Sequence, residues 1–247
     1  MRAKKGTNLL RRKAGEVKRY RQEKKIVPIV MACLALIAGI TYVISLLYTR
    51  FGSFTVRIDK YQELQYRLSL CETRDFANPT SNLDARASQK ITNIDGNTLP
   101  DDLGSVDGLA NGQNYMCYTF YVKNTGNNVV NFEYQVYIVN MTLDIEKAVR
   151  LRFMESFNDS AVDVKTYARA AGVDDSGHAI PEPDTETFYT NNIITYRTKE
   201  EFKPNDYGKF TIVLWLEGND PECLDNIIGG EFKIDMKFSV TSSSDVN

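Results

Sequence analysis

Hydrophobic and polar residues alternate along much of this chain with the period of two that half-buried β-strands require. The clearest case is 232–240, where five apolar residues (Phe232, Ile234, Met236, Phe238 and Val240) are separated by polar ones. The same pattern predicts strands at 54–58, 64–70, 115–123, 130–138, 149–153 and, more weakly, 193–196. Residues 210–216 are apolar on both faces, which predicts a central strand. With no sustained helical period after residue 49, we expect an all-β antiparallel sandwich.

Two long polar stretches, 72–114 and 155–184, interrupt the strands and are predicted to be loops. The first is expected to contain a short helix near 83–90, and the second a strand at 162–167. Before the last strand, Asp220 and Pro221 followed by Gly229-Gly230 predict one helical turn with Asp220 as its N-cap.

A different pattern occupies residues 26–48, which are uncharged and predominantly apolar. As a helix these 23 residues would span about 34 Å, enough to cross a bilayer core of about 30 Å. We therefore predict a single transmembrane signal-anchor helix. A cleaved signal peptide is disfavoured because the apolar run is too long and no A-x-A site follows it. Cys33 follows Val-Met-Ala as in a lipoprotein processing site, but we interpret it as a helix residue.

Charge is divided unequally around this run. Residues 1–25 contain eleven Lys and Arg and two Glu, a net charge of +9, and the remaining 19 basic and 30 acidic residues give −11. A basic flank stays in the cytosol, so residues 49–247 are predicted to form an extracellular domain on a cell membrane. The expected partner of the tail 1–25 is the anionic headgroups of the bilayer rather than a nucleic acid.

Catalytic signals are sparse. The one histidine, His178, follows Asp174 and Asp175 in a Ser- and Gly-rich loop, and no G-x-S-x-G supplies a nucleophile. A single histidine also excludes an H-E-x-x-H zinc site. The remaining catalytic hypothesis pairs Glu222 with Asp220 or Asp225, as in a carbohydrate-active enzyme. We predict no catalytic residue.

A calcium loop is the strongest metal candidate, and it is incomplete. With Gly96 at the sixth position, Asn93, Asp95 and Asp102 take the third, fifth and twelfth, but Ile91 at the first offers no side-chain oxygen. We therefore predict no metal and no cofactor.

Three cysteines lie outside the predicted span: Cys71, Cys117 and Cys223. Cys71 and Cys117 could form a disulfide if their strands are neighbours, and three unlinked thiols are the alternative. Asn140 and Asn158 begin N-x-[ST] matches, which matter only in a eukaryotic secretory pathway.

Three tyrosines, Tyr115, Tyr121 and Tyr137, have the opposite parity to the core-facing residues of their strands. The sequence leaves three surroundings open for them: a second sheet, a partner or water.

Three segments of the chain are similar to single-pass surface proteins of Gram-positive bacteria. They are FTVRIDKYQ at 54–62, NPTSNLDARASQKITNIDGNTLP at 78–100 and VLWLEGNDPECLDNIIGGEFKIDMKFSV at 213–240. More distantly, the architecture resembles biofilm-fibre and camelysin-type jelly-roll proteins. This resemblance implies a jelly-roll-like ectodomain and assembly by strand exchange. Some members are described as proteases. This chain has no H-E-x-x-H motif, so the resemblance does not imply proteolytic activity here.

The sequence favours a membrane-anchored, non-catalytic structural or interaction module at the cell surface. Its partner would be another protein or a second copy, reached through edge strands, and the first strand, 53–58, is the candidate for donation or acceptance. The alternatives are a transmembrane sensor or regulator and an extracellular carbohydrate-active enzyme. The ligand and the oligomeric state are not encoded in these patterns.

Overall fold

A computed structural model describes residues 31–32, 34–40, 53–58, 67–86 and 91–244. The chain divides into two compact units, Met1–Thr49 and Arg50–Asn247. In the first unit, residues 31–32 and 34–40 are helical and their side chains are exposed. Over the described ranges, no helix has the length and apolar character needed to cross a membrane. The rest of the predicted span, and the basic tail 1–25, lie outside the described residues.

The second unit consists of β-strands joined by loops and short 3₁₀ turns. The strands are β1 (Ser53–Ile58), β2 (Leu68–Cys71), β3 (Asn82–Arg86), β4 (Gly108–Leu109), β5 (Tyr115–Asn124), β6 (Val129–Met141), β7 (Val149–Phe157), β8 (Asp163–Ala168), β9 (Gly172–Val173), β10 (Ala179–Ile180), β11 (Glu186–Thr187), β12 (Ile193–Phe202), β13 (Tyr207–Leu216) and β14 (Phe232–Ser244). The strands predicted between 115 and 240 are therefore confirmed, most of them longer than the alternation indicated.

The strands form two main sheets and one small hairpin. The five-stranded sheet has the order β12-β6-β14-β1-β3, and β9 pairs with β10. The seven-stranded sheet has the order β11-β8-β7-β13-β5-β2, with β4 also on β5. As predicted, β13 is central, because it pairs with both β5 and β7.

The prediction of purely antiparallel sheets is wrong at two places. β1 runs parallel to β14, and β11 runs parallel to β8. Hairpin turns impose antiparallel pairing only on strands that follow each other closely, whereas β1 and β14 are separated by most of the domain. β1 is also not an edge strand, since its other side pairs with β3.

Aromatic side chains from both sheets meet in one hydrophobic core. The ring centroid of Phe210 on β13 lies 5.4 Å from those of Tyr134 on β6 and Phe238 on β14, and 5.5 Å from that of Phe120 on β5. All four side chains are at most 2% exposed. Large buried rings in edge-to-face and offset contact supply much of the hydrophobic free energy of such a core. The two main sheets therefore pack face to face, as in a sandwich.

The outer face of the seven-stranded sheet is covered by the segment 91–114. Leu99 from this segment packs on Cys117, Val213 and Trp215, all buried, to form a second hydrophobic cluster. Gly104 in the segment has a φ of +85°, and a Cβ there would lie 2.7 Å from Thr211 Oγ1. Glycine is required at this position because it permits both the left-handed backbone and the close approach.

Two local predictions outside the long strands are wrong in detail. Residues 82–86 form β3 rather than a helix, because pairing with β1 turns Leu83 and Ala85 into the core. The helical turn before the last strand is a 3₁₀ turn at Asp225–Ile227, and its N-cap is Leu224, which makes no side-chain cap. Asp220 does not cap it, because the turn begins five residues later, and the Asp220 carboxylate instead accepts a hydrogen bond from the Glu222 N–H and pairs with Arg150.

Candidate functional site

The outer face of the five-stranded sheet is polar, and no described residue covers it. Neither hydrophobic cluster of the described residues includes a side chain from this face. Cross-strand register places one residue from each strand in a continuous row, in the order Asn82, Arg57, Lys237, Gln135 and Tyr196. We call these five residues the cationic row. Neighbouring strands are about 4.8 Å apart, so the row extends over roughly 19 Å.

The adjacent row contributes a buried carboxylate. Asp235 Oδ2 lies 3.2 Å from Arg57 Nη2 and accepts a hydrogen bond of 3.4 Å from the Tyr137 hydroxyl. Arg57 also donates to the Tyr137 hydroxyl, and this hydrogen bond is the main reason that the pKa of Arg57 is raised. The side chain of Asp235 is only 8% exposed, and its Oδ1 has no hydrogen-bond partner in the described part of the chain. Asp235 thus orients Arg57 and Tyr137 from beneath.

A shallow groove of about 770 Å³ lies between these residues. Its lining residues are Arg57, Ile58, Ser81, Asn82, Gln135, Tyr137 and Lys237. Only Ile58 is apolar, and the others supply two cations, two amides and two hydroxyl groups. Such a lining can bind a polar or anionic ligand through several hydrogen bonds. No acid–base pair for catalysis lines the groove.

Of the three tyrosines of opposite parity, one faces this groove and two face the covering segment. Tyr137 lines the groove, as described above. Tyr115 packs against the second hydrophobic cluster. Tyr121 is buried and donates a hydrogen bond of 2.6 Å to Asp107 Oδ1. Burial, with a further contribution from this hydrogen bond, raises the pKa of Tyr121.

His178 belongs to a turn rather than to a catalytic group. Asp174 Oδ1 accepts hydrogen bonds of 2.8 Å from the backbone N–H groups of both Ser176 and His178, in the hairpin of β9 and β10. These hydrogen bonds lower the pKa of Asp174, and the one from the His178 N–H has the largest effect. The His178 ring is 80% exposed and lies 3.5 Å from Asp174 Oδ2. An exposed imidazole beside a turn carboxylate has neither the burial nor the nucleophile that a catalytic triad needs.

The residues of the incomplete calcium loop have separate structural uses. Asp95 Oδ1 accepts a hydrogen bond of 2.9 Å from the Asn97 N–H and caps the 3₁₀ turn Gly96–Thr98, which lowers the pKa of Asp95. In the described residues, the grouping of three acidic ligands that could hold a metal is a different one, Glu182 with Asp220 and Glu222.

This acidic group lies around Arg150. The ligand oxygens of Glu182, Asp220 and Glu222 are within 4.8 Å of one another, and Arg150 Nη2 lies 2.5 Å from Asp220 and 3.4 Å from Glu182. The Asp220 side chain is fully buried. A hydrogen bond to Asp220 raises the pKa of Glu222. The guanidinium already supplies positive charge where a metal would, so the cluster is explained as a buried ion-pair network.

Glu222 and Asp220 lie close together in the fold, but their surroundings differ from those of a glycosidase carboxylate pair. The two carboxylates of a glycosidase must flank a substrate bond from accessible positions. Asp220 is buried against Arg150, and Glu222 donates its backbone N–H to Asp220 Oδ1 at 2.8 Å. Asp225 lies in the following 3₁₀ turn.

The disulfide between Cys71 and Cys117 does not form. The strands are neighbours, as the hypothesis required, but the register opposes Cys71 to Tyr121. Cys117 lies four residues farther along β5, roughly 13 Å away at 3.3 Å per residue. That exceeds the reach of a disulfide. Cys71, Cys117 and Cys223 are all free thiols.

The cationic row was not identified from the sequence. Alternation on β14 correctly predicted that Lys233, Asp235 and Lys237 face away from the core. The pattern within one strand, however, carries no information about which residue of β1 lies beside Lys237.

The fold and the groove together define a two-sheet β-protein with one covered sheet face and one open, polar sheet face. Comparison with known proteins adds no family to this class: no family model, curated protein or solved structure matches the chain.

Proposed function

We propose that this protein is a membrane-anchored interaction module at the cell surface, in which the five-stranded sheet presents the binding face and no catalysis occurs. The observation that carries the proposal is the groove along the cationic row. It is built from residues of four strands, and one of its two cations, Arg57, is held in place by the buried carboxylate of Asp235. The apolar run 26–48 and the basic tail before it support the anchor and its orientation.

Binding through the sheet face accounts for the structure better than strand addition does. The long edge strand β12 has two register shifts, and Glu201 within it has a φ of +52°. It also carries Lys199, Glu200 and Glu201 in succession. Bulges and charges of this kind prevent edge-to-edge pairing. A jelly-roll connectivity remains part of the proposal, on the resemblance described above.

Photo-crosslinking on intact cells tests this proposal. A photoreactive phenylalanine analogue replaces Ser81, which lines the groove, in the full-length chain. The matched control replaces Val173, which is 70% exposed on the β9–β10 hairpin. We expect adducts at position 81 and not at 173. Equal yields at the two positions, or no adduct at 81, would contradict a binding role for the groove.

A further inference from the structure

We infer that the groove recognises an acidic oligosaccharide, with the anionic group of the sugar on Arg57 and Lys237 and its hydroxyl groups on the flanking side chains. This inference rests on the proposed function and specifies its ligand. Carboxylate, sulfate and phosphate groups on a sugar share the relevant chemistry, since each offers two or more acceptor oxygens to adjacent cations.

Placing the two cations side by side does not stabilise the fold. Arg57 on β1 and Lys237 on β14 are directly opposite each other in the parallel ladder. Like charges in that relation repel. Asp235 compensates Arg57 at 3.2 Å, whereas Lys237 has no carboxylate within 4.0 Å in the described part of the chain. An anion that bridges the two side chains would remove this repulsion.

Within the described part of the chain, Arg57 has donors left for a ligand. Its contacts with Asp235 and Tyr137 both use Nη2, and its side chain is 49% exposed. The guanidinium has five N–H donors in a fixed plane, which suits oxyanions. Asp235 therefore holds the guanidinium in position through Nη2, while Nη1 and Nε have no hydrogen-bond partner among the described residues.

The flanking side chains suit a sugar better than a peptide. Asn82 and Gln135 at the two sides of the cations each offer a donor and an acceptor, and Ser81 adds a hydroxyl. A peptide would need an apolar pocket for an anchor side chain, and Ile58 is the single apolar residue of the lining. The backbone of β1, β14 and β6, which carry Arg57, Lys237 and Gln135, is already paired on both sides. A peptide could therefore add as a strand only beyond the edge strand β3, away from the two cations.

Calorimetry on the full-length protein in detergent micelles tests the inference. The probes are tetragalacturonate, its neutral methyl ester, a hexaglutamate peptide and inorganic phosphate. The variants are Lys237→Glu and, as the matched control, Lys233→Glu, which lies on the same strand and face outside the groove lining. We expect tetragalacturonate to bind best, and Lys237→Glu to weaken it about tenfold to a hundredfold. Lys233→Glu should change it less than threefold.

Each of the other possible results would overturn a specific part of the inference. Equal binding of the methyl ester would overturn the role of the cations, and equal binding of hexaglutamate or phosphate would overturn the choice of a sugar. Equal losses in the two Lys variants would mean nonspecific attraction. If no probe binds but position 81 still forms adducts on cells, the ligand class is wrong and the proposed function stands. If both fail, the groove has no binding role.

Discussion

At the scale of single residues, the domain tolerates several buried charges because each has a specific partner. Arg150 is 4% exposed and lies between Asp220 and Glu182. Removing one partner from such a network costs far more than the network contributes, since a charge would be left buried and unpaired. Glu222, which is only half-buried, lies beside Asp220 without a cation of its own among the described residues, and its hydrogen bond to Asp220 raises its pKa.

The raised pKa of Glu222 has a defined effect on the pH dependence of stability. Its pKa in the folded state exceeds the ordinary value of 4.5, so the folded state binds this proton more tightly than the unfolded state. The stabilisation from Glu222 is therefore complete below pH 4.5. It is lost as the pH rises through the folded-state pKa, when Glu222 ionises beside Asp220.

We predict that Glu222→Gln stabilises the domain at pH 7 and not at pH 4. The uncharged amide removes the repulsion and can donate a hydrogen bond to Asp220. The free energy of unfolding of the unit Arg50–Asn247 should rise by roughly 0.5 kcal/mol at pH 7, a value reduced for solvent screening. Urea denaturation at the two pH values measures the difference. Glu200→Gln on the exposed part of β12 should leave stability unchanged, and a gain at pH 4 equal to that at pH 7 would refute the explanation.

At the scale of elements, β1 contributes residues both to the buried face of the five-stranded sheet and to the cationic row on its outer face. Its inner residues, Phe54 and Val56, are fully buried, and the Phe54 ring lies 6.0 Å from that of Tyr118 on the other sheet. Its outer residue Arg57 belongs to the cationic row. A one-residue shift in the register of β1 would exchange these faces and remove Arg57 from the groove.

The two sides of β1 should therefore respond differently to substitution. Phe54→Ala leaves a cavity between the sheets and should lower the free energy of unfolding by about 3–5 kcal/mol. Thr55→Ala, the next residue, loses one exposed hydrogen bond to Asp84 and should cost less than about 1 kcal/mol. Denaturation of the unit Arg50–Asn247 compares the two. Similar costs would mean that β1 does not pack on the core in this register.

Alternation was sufficient to predict most strands, because a half-buried strand has the same period wherever it lies in a sheet. At β3 the residues do alternate, with Leu83 and Ala85 between polar neighbours, but five residues are too few to exclude a short helix, and only the pairing with β1 decides for a strand. Alternation also could not find the acidic group of Glu182, Asp220 and Glu222, because Glu182 comes from a polar loop that approaches the others only in the folded chain.

At the scale of the whole molecule, the distribution of charge predicts how the chain is placed in a cell. The eleven Lys and Arg before the apolar run favour retention of the N-terminus in the cytosol and export of the remainder. The open sheet face would then be available to molecules outside the cell, as the proposed function requires.

Cysteine labelling tests this orientation. In a background with Cys33 and Cys223 changed to Ser, Val173→Cys should react with a membrane-impermeant maleimide on intact cells, because the hairpin is exposed. Cys71 and Cys117 are buried and should not react in the native state. Ala3→Cys in the basic tail should react only after permeabilisation. The reverse pattern would invert the orientation, and labelling at neither position in intact cells would place both ends inside.

The sequence by itself determined the strand content, the inward residues of each long strand and the separation of basic tail, apolar run and acidic body. These properties are local, since they depend on the period of two and on the charge of consecutive residues. The tertiary structure alone decided that β1 lies parallel to β14, that Arg57 adjoins Lys237, and that Cys71 opposes Tyr121 rather than Cys117. Register between strands distant in sequence depends on packing of the whole core, which no local pattern encodes.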